Sequence, residues 1–482
     1  MRRKANYFKL GSLSLVLFSV VSLLGCNKET EYTPKSNSEA GIDDFWLEKT
    51  SSNTKLNRPY QGMILGDTAI KLMVDYGTDI TALEPTIFTY ADSISPKGKQ
   101  NFTNPVEYTV WGAGKKATYK VRITVSAVQA PVFTSIVSGY SHVMGLKNDG
   151  TVWVCGNNFS GQLGLGDFSS RNRLSQVPVY DAVQLFSGEV ASVIKLKDGT
   201  AWAAGNQYGQ LGIGNRNGTP IMTRVPFMDN AVNIEVTFGE VFILKPDGTV
   251  WGSGRNFGNV FLLPAQDMQS SFVQLPISNV KQLNVTGSEV IALKNNGELW
   301  GWGINASGQL GVGDNLKRTT PVLIPNPAGS VAKLFTGGND LFIIDNSGKL
   351  WGTGVNLNGQ LGLGDRTNRS TLTNISFFNG KSIGSISSHL SNTSFIQTNG
   401  TVWNVGENSD GQMGLGSVSI PYTTPVQMPN FTTSTLVGSG SVMYALKSDG
   451  TIWAWGINDA GALGAAWINK TEKYSASPIK LQ

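Results

Sequence analysis

Residues able to do chemistry are scarce in this chain. Its 482 residues include two His and two Cys. A zinc site needs about four Cys or His ligands at short spacings, and a disulfide framework needs several cysteines, so neither can be built. His142 and His389 read as structural. Cys155, between Trp153 and Gly156 in an apolar stretch, reads as a buried thiol. There is no Gly-x-Ser-x-Gly elbow, no His-Glu-x-x-His and no P-loop. Gly161-Gln-Leu-Gly-Leu-Gly166 imitates a phosphate cradle, but nothing after it reads as the helix that a dinucleotide fingerprint requires. Asp149, Asp198, Asp247 and Asp449 lack the alternating oxygens and terminal Glu of a calcium loop. Paired carboxylates stay open as a route to catalysis, because acids distant in sequence can meet in space. The expectation is a non-enzyme, with no catalytic residue, metal or cofactor.

One residue does carry a covalent expectation. Arg2, Arg3, Lys4 and Lys9 precede the apolar run Leu13–Leu24, too short to span a bilayer comfortably. The run ends Leu23-Leu24-Gly25-Cys26, which resembles a bacterial lipobox. That resemblance implies a leader over 1–25, removal of which leaves Cys26 as the lipidated first residue. Acyl chains would then hold the protein on a membrane without a spanning helix. Asn27 after the Cys implies sorting to the outer membrane, and Glu29 and Glu31 are compatible with the cell surface; the periplasmic face is the other orientation. Residues 26–40 are polar and read as a tether.

Composition narrows the rest. Gly is 57 of 482, well above the usual ~7%, and charged residues are 15% against a usual ~25%. With 12 Trp, this favours many short strands joined by tight turns. Without the four leader cations, 34 basic side chains face 33 acidic ones. So near-neutral a chain has no electrostatic footprint for nucleic acid, and no nucleic-acid partner is expected.

Over 41–128, Ala69–Val74 and Tyr119–Val125 read as strands, with Asp75-Tyr76-Gly77-Thr78 and Gly112-Ala113-Gly114 as turns. About seven strands in such a length suit a sandwich. Val106–Trp111 followed by Ala117–Val125 resembles the end of immunoglobulin-like modules of bacterial surface lipoproteins. Trp46 and Trp111 are expected in its core, and the domain is expected to act as a spacer.

The rest of the chain, 129–482, is periodic. Trp recurs at 153, 202, 251, 300, 351, 403 and 453, each flanked by Gly three residues before and after. Asp, Asn or Ser precedes the first of each Gly pair, and apolar runs flank the dipeptide, which marks a hairpin with Trp on its second strand. Gly161-Gln-Leu-Gly follows, with counterparts at Gly209, Gly308 and Gly359 and variants at Gly411 and Gly461. A strand near a Pro, as at Thr320–Ile324, completes each unit. Such a four-stranded sheet buries its faces by packing radially against copies of itself. Asn158, Asn256, Asn305, Asn356, Asn408 and Asn458 recur two positions after the second Gly, with Gln207 in that place in unit two. They are expected to satisfy loop backbone.

Ser138-Gly-Tyr-Ser-His142, Leu146-Lys-Asn-Asp-Gly-Thr-Val-Trp153 and Gly156–Asp167 together resemble the regulator of chromosome condensation repeat. The likeness covers about 130–482 and implies an all-β fold: a seven-bladed β-propeller preceded by a small Ig-like β-sandwich. It also suggests that Ser477–Leu481 completes a blade with residues near Val132. The family's nucleotide-exchange role on the GTPase Ran does not carry over to a secreted lipoprotein. A bacterial propeller of this kind that inhibits β-lactamase through loop aromatics points to protein recognition.

Binding should lie where the units differ. Phe159, Tyr208 and Phe257 follow Trp-x-x-Gly in units one to three and are expected at equivalent places on one face. They would either form a binding patch or pack between blades. Unit three departs further, with Gly258-Asn-Val-Phe261 in place of Gly-Gln-Leu-Gly, and Trp467 beside Asn469 and Lys470 is a second candidate. The expected ligand is a protein at a propeller face. A glycan or polysaccharide is the alternative, and a carbohydrate-active enzyme with acids converging at a face or channel mouth is the third reading. A monomer is expected.

Overall fold

The computed structural model describes residues 7–8 and 40–481, except 51–52, 55, 67, 206–207, 263–267, 287, 390, 440–441, 459–460 and 465–472. Cys26, the tether, Gln207 and Trp467 therefore lie outside the described residues. The chain divides into two compact units, Met1–Pro131 with Pro178–Tyr180, and Val132–Val177 with Asp181–Gln482.

The first unit contains a β-sandwich. One sheet holds Thr86–Phe88, Asp44–Leu47 and Tyr60–Gln61. The other runs Met63–Leu65, Ala69–Val74, Lys115–Val125, Val106–Gly112, Ser93–Ser95. Alternation along Ala69–Val74 sends Ile70, Leu72 and Val74 inward, where they meet Phe45, Tyr108 and Val121. This strand pairs parallel with Lys120–Val125. Neither expected Trp is in the core: Trp46 is half-buried beside the inward Phe45 and Leu47, and Trp111 is 39% exposed. Tyr108 and Val110 take the inward positions of its strand, so the two-residue period turns the neighbouring Trp111 outward.

The second unit is a seven-bladed propeller: seven four-stranded antiparallel sheets, each in sequence order. Blade 1 is Phe133–Ser138, His142–Lys147, Val152–Gly156 and Arg171–Gln176. Blade 3, which matters below, is Asn233–Val236, Glu240–Leu244, Val250–Arg255 and Met268–Gln274. The first strands of neighbouring blades adjoin around the whole ring, blade 7 against blade 1 included. Apolar cores lie between blades; one joins Phe242, Phe261 and Leu275 of blade 3 to Val290, Ala292 and Trp302 of blade 4.

Ring closure differs from the expectation. Tyr474–Lys480 pairs with Ile452–Ile457 inside blade 7, and residues near Val132 begin blade 1. No blade is shared between the chain ends. Instead a joint found between other neighbouring blades is repeated at the seam. Ala182 donates its N–H to the Gly150 carbonyl, Val280 to Gly248 and Thr433 to Gly400, and Phe133 donates to Gly450 in the same way at 3.4 Å. A second clasp lays the Gly-rich loops of blades 1, 2, 4, 5 and 6 on the fourth strand of the next blade. Gly166 N–H donates to Pro220 O and Gly313 N–H to Ser370 O, both at 2.8 Å. A Cβ on Gly161 would stand 2.7 Å from Pro220 Cα, so that glycine permits a backbone contact as well as its φ of 78°.

The recurrent Asn holds this loop together. Asn158 is fully buried; its Oδ1 accepts from Leu163 N–H at 2.9 Å and its Nδ2 donates to Asp167 O at 2.8 Å. Asn305, Asn356 and Asn408 repeat both bonds.

Candidate functional site

In an up-and-down sheet, the first-to-second and third-to-fourth connections share one face of the ring, and the Asp-Gly turns take the other. Phe159, Tyr208 and Phe257 are all on the former, here called the loop face.

They are not at equivalent places. Tyr208 donates its N–H to Gln210 Oε1, as Ser160, Ser307 and Asn358 donate to the Gln two residues on. Tyr208 is therefore the counterpart of Ser160, while Phe159 and Phe257 each follow the bracing Asn. The blade 2 loop is one residue shorter between its Trp-x-x-Gly glycine and Gly209, which removes the outermost position. Phe159 stands out at 74% exposure, with no ring contact among the described residues.

Tyr208 and Phe257 do meet, through a cation. The Arg255 guanidinium lies 5.0 Å from the Tyr208 ring centroid, 5.6 Å from Phe257 and 5.9 Å from Phe238. Tyr208 and Phe238 are themselves tilted together at 5.3 Å. Phe257 is 53% and Phe238 38% exposed, while Tyr208 and Arg255 are half-buried. Three loops of two blades thus build one aromatic basket around one guanidinium. Cation–π attraction of this kind is worth roughly 0.5–2 kcal/mol per cation–ring pair and holds the group in place.

Phe238 and Arg255 escaped the sequence reading. A signal for Arg255 was present: the residue after the second Gly is Asn157, Asn206, Ile304, Val355, Glu407 or Ile457 in the other units. Phe238 sits in a different connection, and nothing in the sequence period aligns it with Phe257.

The unit-three departure keeps one of the two loop bonds, while Asn256 Nδ2 turns to Asn259 Oδ1 at 3.3 Å. Phe261 replaces the buried Leu163, with its N–H on Asn256 Oδ1 at 2.9 Å.

Three acids occur at one repeat position, the start of the second strand: Glu240, Glu289 and Asp340 in blades 3, 4 and 5. All are buried. Glu240 accepts from the Thr237 hydroxyl at 2.6 Å, Glu289 from Ser288, and Asp340 of blade 5 from Ser388 of blade 6 at 3.3 Å. Burial raises all three carboxyls, Glu240 to about 7. His142, at the same position of blade 1, lies 2.9 Å from Ser187 Oγ of blade 2, and burial lowers it to about 4. These groups brace the ring wall and do not face solvent. A cavity of about 390 Å³ follows the first strands, with Ser187, Glu235, Thr336 and Ser388 in its lining. Cys155 is buried with its thiol pushed up to about 12, and donates to Arg171 O. Among the described residues no three or more His, Cys, Asp or Glu side chains are grouped to hold a metal.

Comparison with known proteins accords with both units. Residues 51–123 match the family "SGBP, N-terminal", an Ig-like domain of bacterial surface glycan-binding proteins. Residues 133–162, 149–193 and 296–343 match the regulator of chromosome condensation (RCC1) repeat, so the propeller carries RCC1 repeats. The chain is similar to the ultraviolet-B receptor UVR8 of Arabidopsis thaliana, 29% identical over 164 residues that cover 33% of this chain and 37% of that one. It is also similar to the human X-linked retinitis pigmentosa GTPase regulator, 32% identical over 130 residues, 26% of this chain and 13% of that one. The matched stretches thus span only a minor part of these relatives. In structure it resembles Prp20p from Saccharomyces cerevisiae, with a TM-score of 0.63 at 18% identity, covering 70% of this chain and 87% of that one. Human WBSCR16 gives 0.60 at 19% identity, covering 69% and 93%. The Prp20p structure is described with its binding to Gsp1p and histones. At these identities the likeness carries the fold and no more.

Proposed function

We propose that this chain is an outer-membrane lipoprotein of the cell surface, anchored through Cys26, whose propeller is a non-catalytic glycan-binding module. The observation that carries this is the basket of Tyr208, Phe238 and Phe257 around Arg255. Exposed ring faces held rigidly beside a polar group are what sugar recognition uses: C–H faces stack on rings while hydroxyls reach fixed donors. The domain at 51–123 supports a glycan over a protein as the first reading. The burial of Glu240, Glu289 and Asp340 favours binding without catalysis.

A protein partner is the second reading. Phe159, Leu316 and Leu357 are exposed on third-to-fourth connections of blades 1, 4 and 5, and apolar residues spread round a face suit a broad protein contact. RCC1-repeat propellers commonly serve protein interaction.

The test is a pull-down with the full chain as bait, against envelope proteins and a panel of polysaccharides. Phe257→Ala and Phe159→Ala run beside it, each checked by its melting curve. Capture of a polysaccharide, lost in Phe257→Ala and kept in Phe159→Ala, supports the glycan site. Capture of a protein alone, lost in Phe159→Ala, supports the second reading.

A further inference from the structure

Arg255 is held in an unusual way. Rings of Tyr208, Phe238 and Phe257 lie within 6 Å of its guanidinium carbon. Its stem lies along the backbone at Gly239, where a Cβ would stand 2.7 Å from Arg255 Cδ. Rings at these distances attract the cation through their π-faces but take up none of its N–H donors as an oxygen acceptor would. Among the described residues none of those donors meets an acceptor and no carboxylate is within ion-pair distance. The buried Glu240 feels the charge of Arg255 but bonds the Thr237 hydroxyl, and burial holds its carboxyl up at about 7. Elsewhere on the loop face the pattern is different: Arg171, Arg318 and Arg369 are each paired with an Asp at 2.6–2.7 Å. Arg255 is thus a preorganised, partly desolvated cation whose forked edge is unfilled by any described residue. Planar carboxylates complement that edge bidentately, and partial desolvation strengthens the attraction.

We infer that the ligand of this site is an acidic glycan, with Arg255 pairing a uronate carboxylate while Phe257 and Phe238 carry the sugar ring. The inference rests on the glycan reading above.

The test is affinity electrophoresis of the full chain in gels containing polygalacturonate, alginate or hyaluronan. Each is compared with its carboxyl-reduced, neutral form. Dextran sulfate serves as a control for charge alone. The expected result is retention by at least one acidic polymer, about tenfold or more stronger than by its reduced form, as loss of a charge-assisted pair implies. Arg255→Gln removes that preference and Arg255→Lys keeps part of it. Equal retention by acidic and reduced polymers overturns the inference and leaves the glycan reading standing. So does dextran sulfate bound as tightly as the best uronate. Retention by no polymer, acidic or neutral, removes the glycan reading itself. The polymer comparison is made on the wild type, so it holds even if Arg255→Gln fails to fold.

Discussion

Gly239 and Arg255 are fitted to each other: Arg255 N–H donates to Gly239 O at 2.8 Å, and the side chain then lies flat where a residue-239 Cβ would be. Gly239→Ala should therefore displace the guanidinium from its rings. The expected outcome is ligand binding weakened about as much as in Arg255→Gln, with the melting temperature lowered by only a few degrees, for ~1 kcal/mol of local strain. Calorimetric titration with the captured ligand, beside a melting curve, checks both halves.

The buried acids set a pH dependence whose sign can be worked out. Glu240 is raised from 4.5 to about 7 by burial, so the folded state holds its proton more tightly than the unfolded state. Its contribution to stability is therefore fully present below about pH 4.5 and is lost as pH rises to about 7. Glu240→Gln should leave stability near pH 4 little changed and raise it at pH 8, by roughly 2–3 kcal/mol relative to the change at pH 4. Urea denaturation of both proteins at the two pH values measures this.

His142 carries the opposite sign. Burial lowers it to about 4, so the unfolded chain takes up its proton first as pH falls below 6.5. Stability is present above that value and lost towards about 4. His142→Asn should lose the part of the acid sensitivity that lies between pH 6.5 and 4, and the same urea series reads it.

Asn158 and Phe159 are neighbours with opposite expectations. Asn158→Ala strands the Leu163 N–H and the Asp167 carbonyl in a buried loop and should cost about 1–3 kcal/mol. Phe159→Ala, at an exposed position, should change stability by no more than about 0.5 kcal/mol. Denaturant midpoints distinguish them.

Much of this architecture was readable from periodicity. Trp every fifty or so residues with flanking Gly marks the blades because each blade repeats one hairpin, and the Asn two positions after the second Gly accepts the same backbone N–H in blades 1 and 3 to 7. Relations between units were harder to read. The seam at Phe133 and Gly450 is a joint between blades, invisible to a search for strand completion. Tyr208 looked equivalent to Phe159 because counting from the glycine hides a one-residue deletion; only the bond to Gln210 fixes its place. Phe238 and Phe257 come from two different connections of blade 3 and Tyr208 from the preceding blade, and all three meet only around Arg255. Such a site has no sequence spacing of its own.

The aromatic basket as the glycan site is tested most directly by hydroxyl-radical footprinting of the full chain with and without its captured polysaccharide. Protection of Tyr208, Phe238 and Phe257 is expected, with Phe159 and the opposite-face Trp251 unchanged. Protection centred on Trp251 and Trp300, or confined to Phe159, would contradict it.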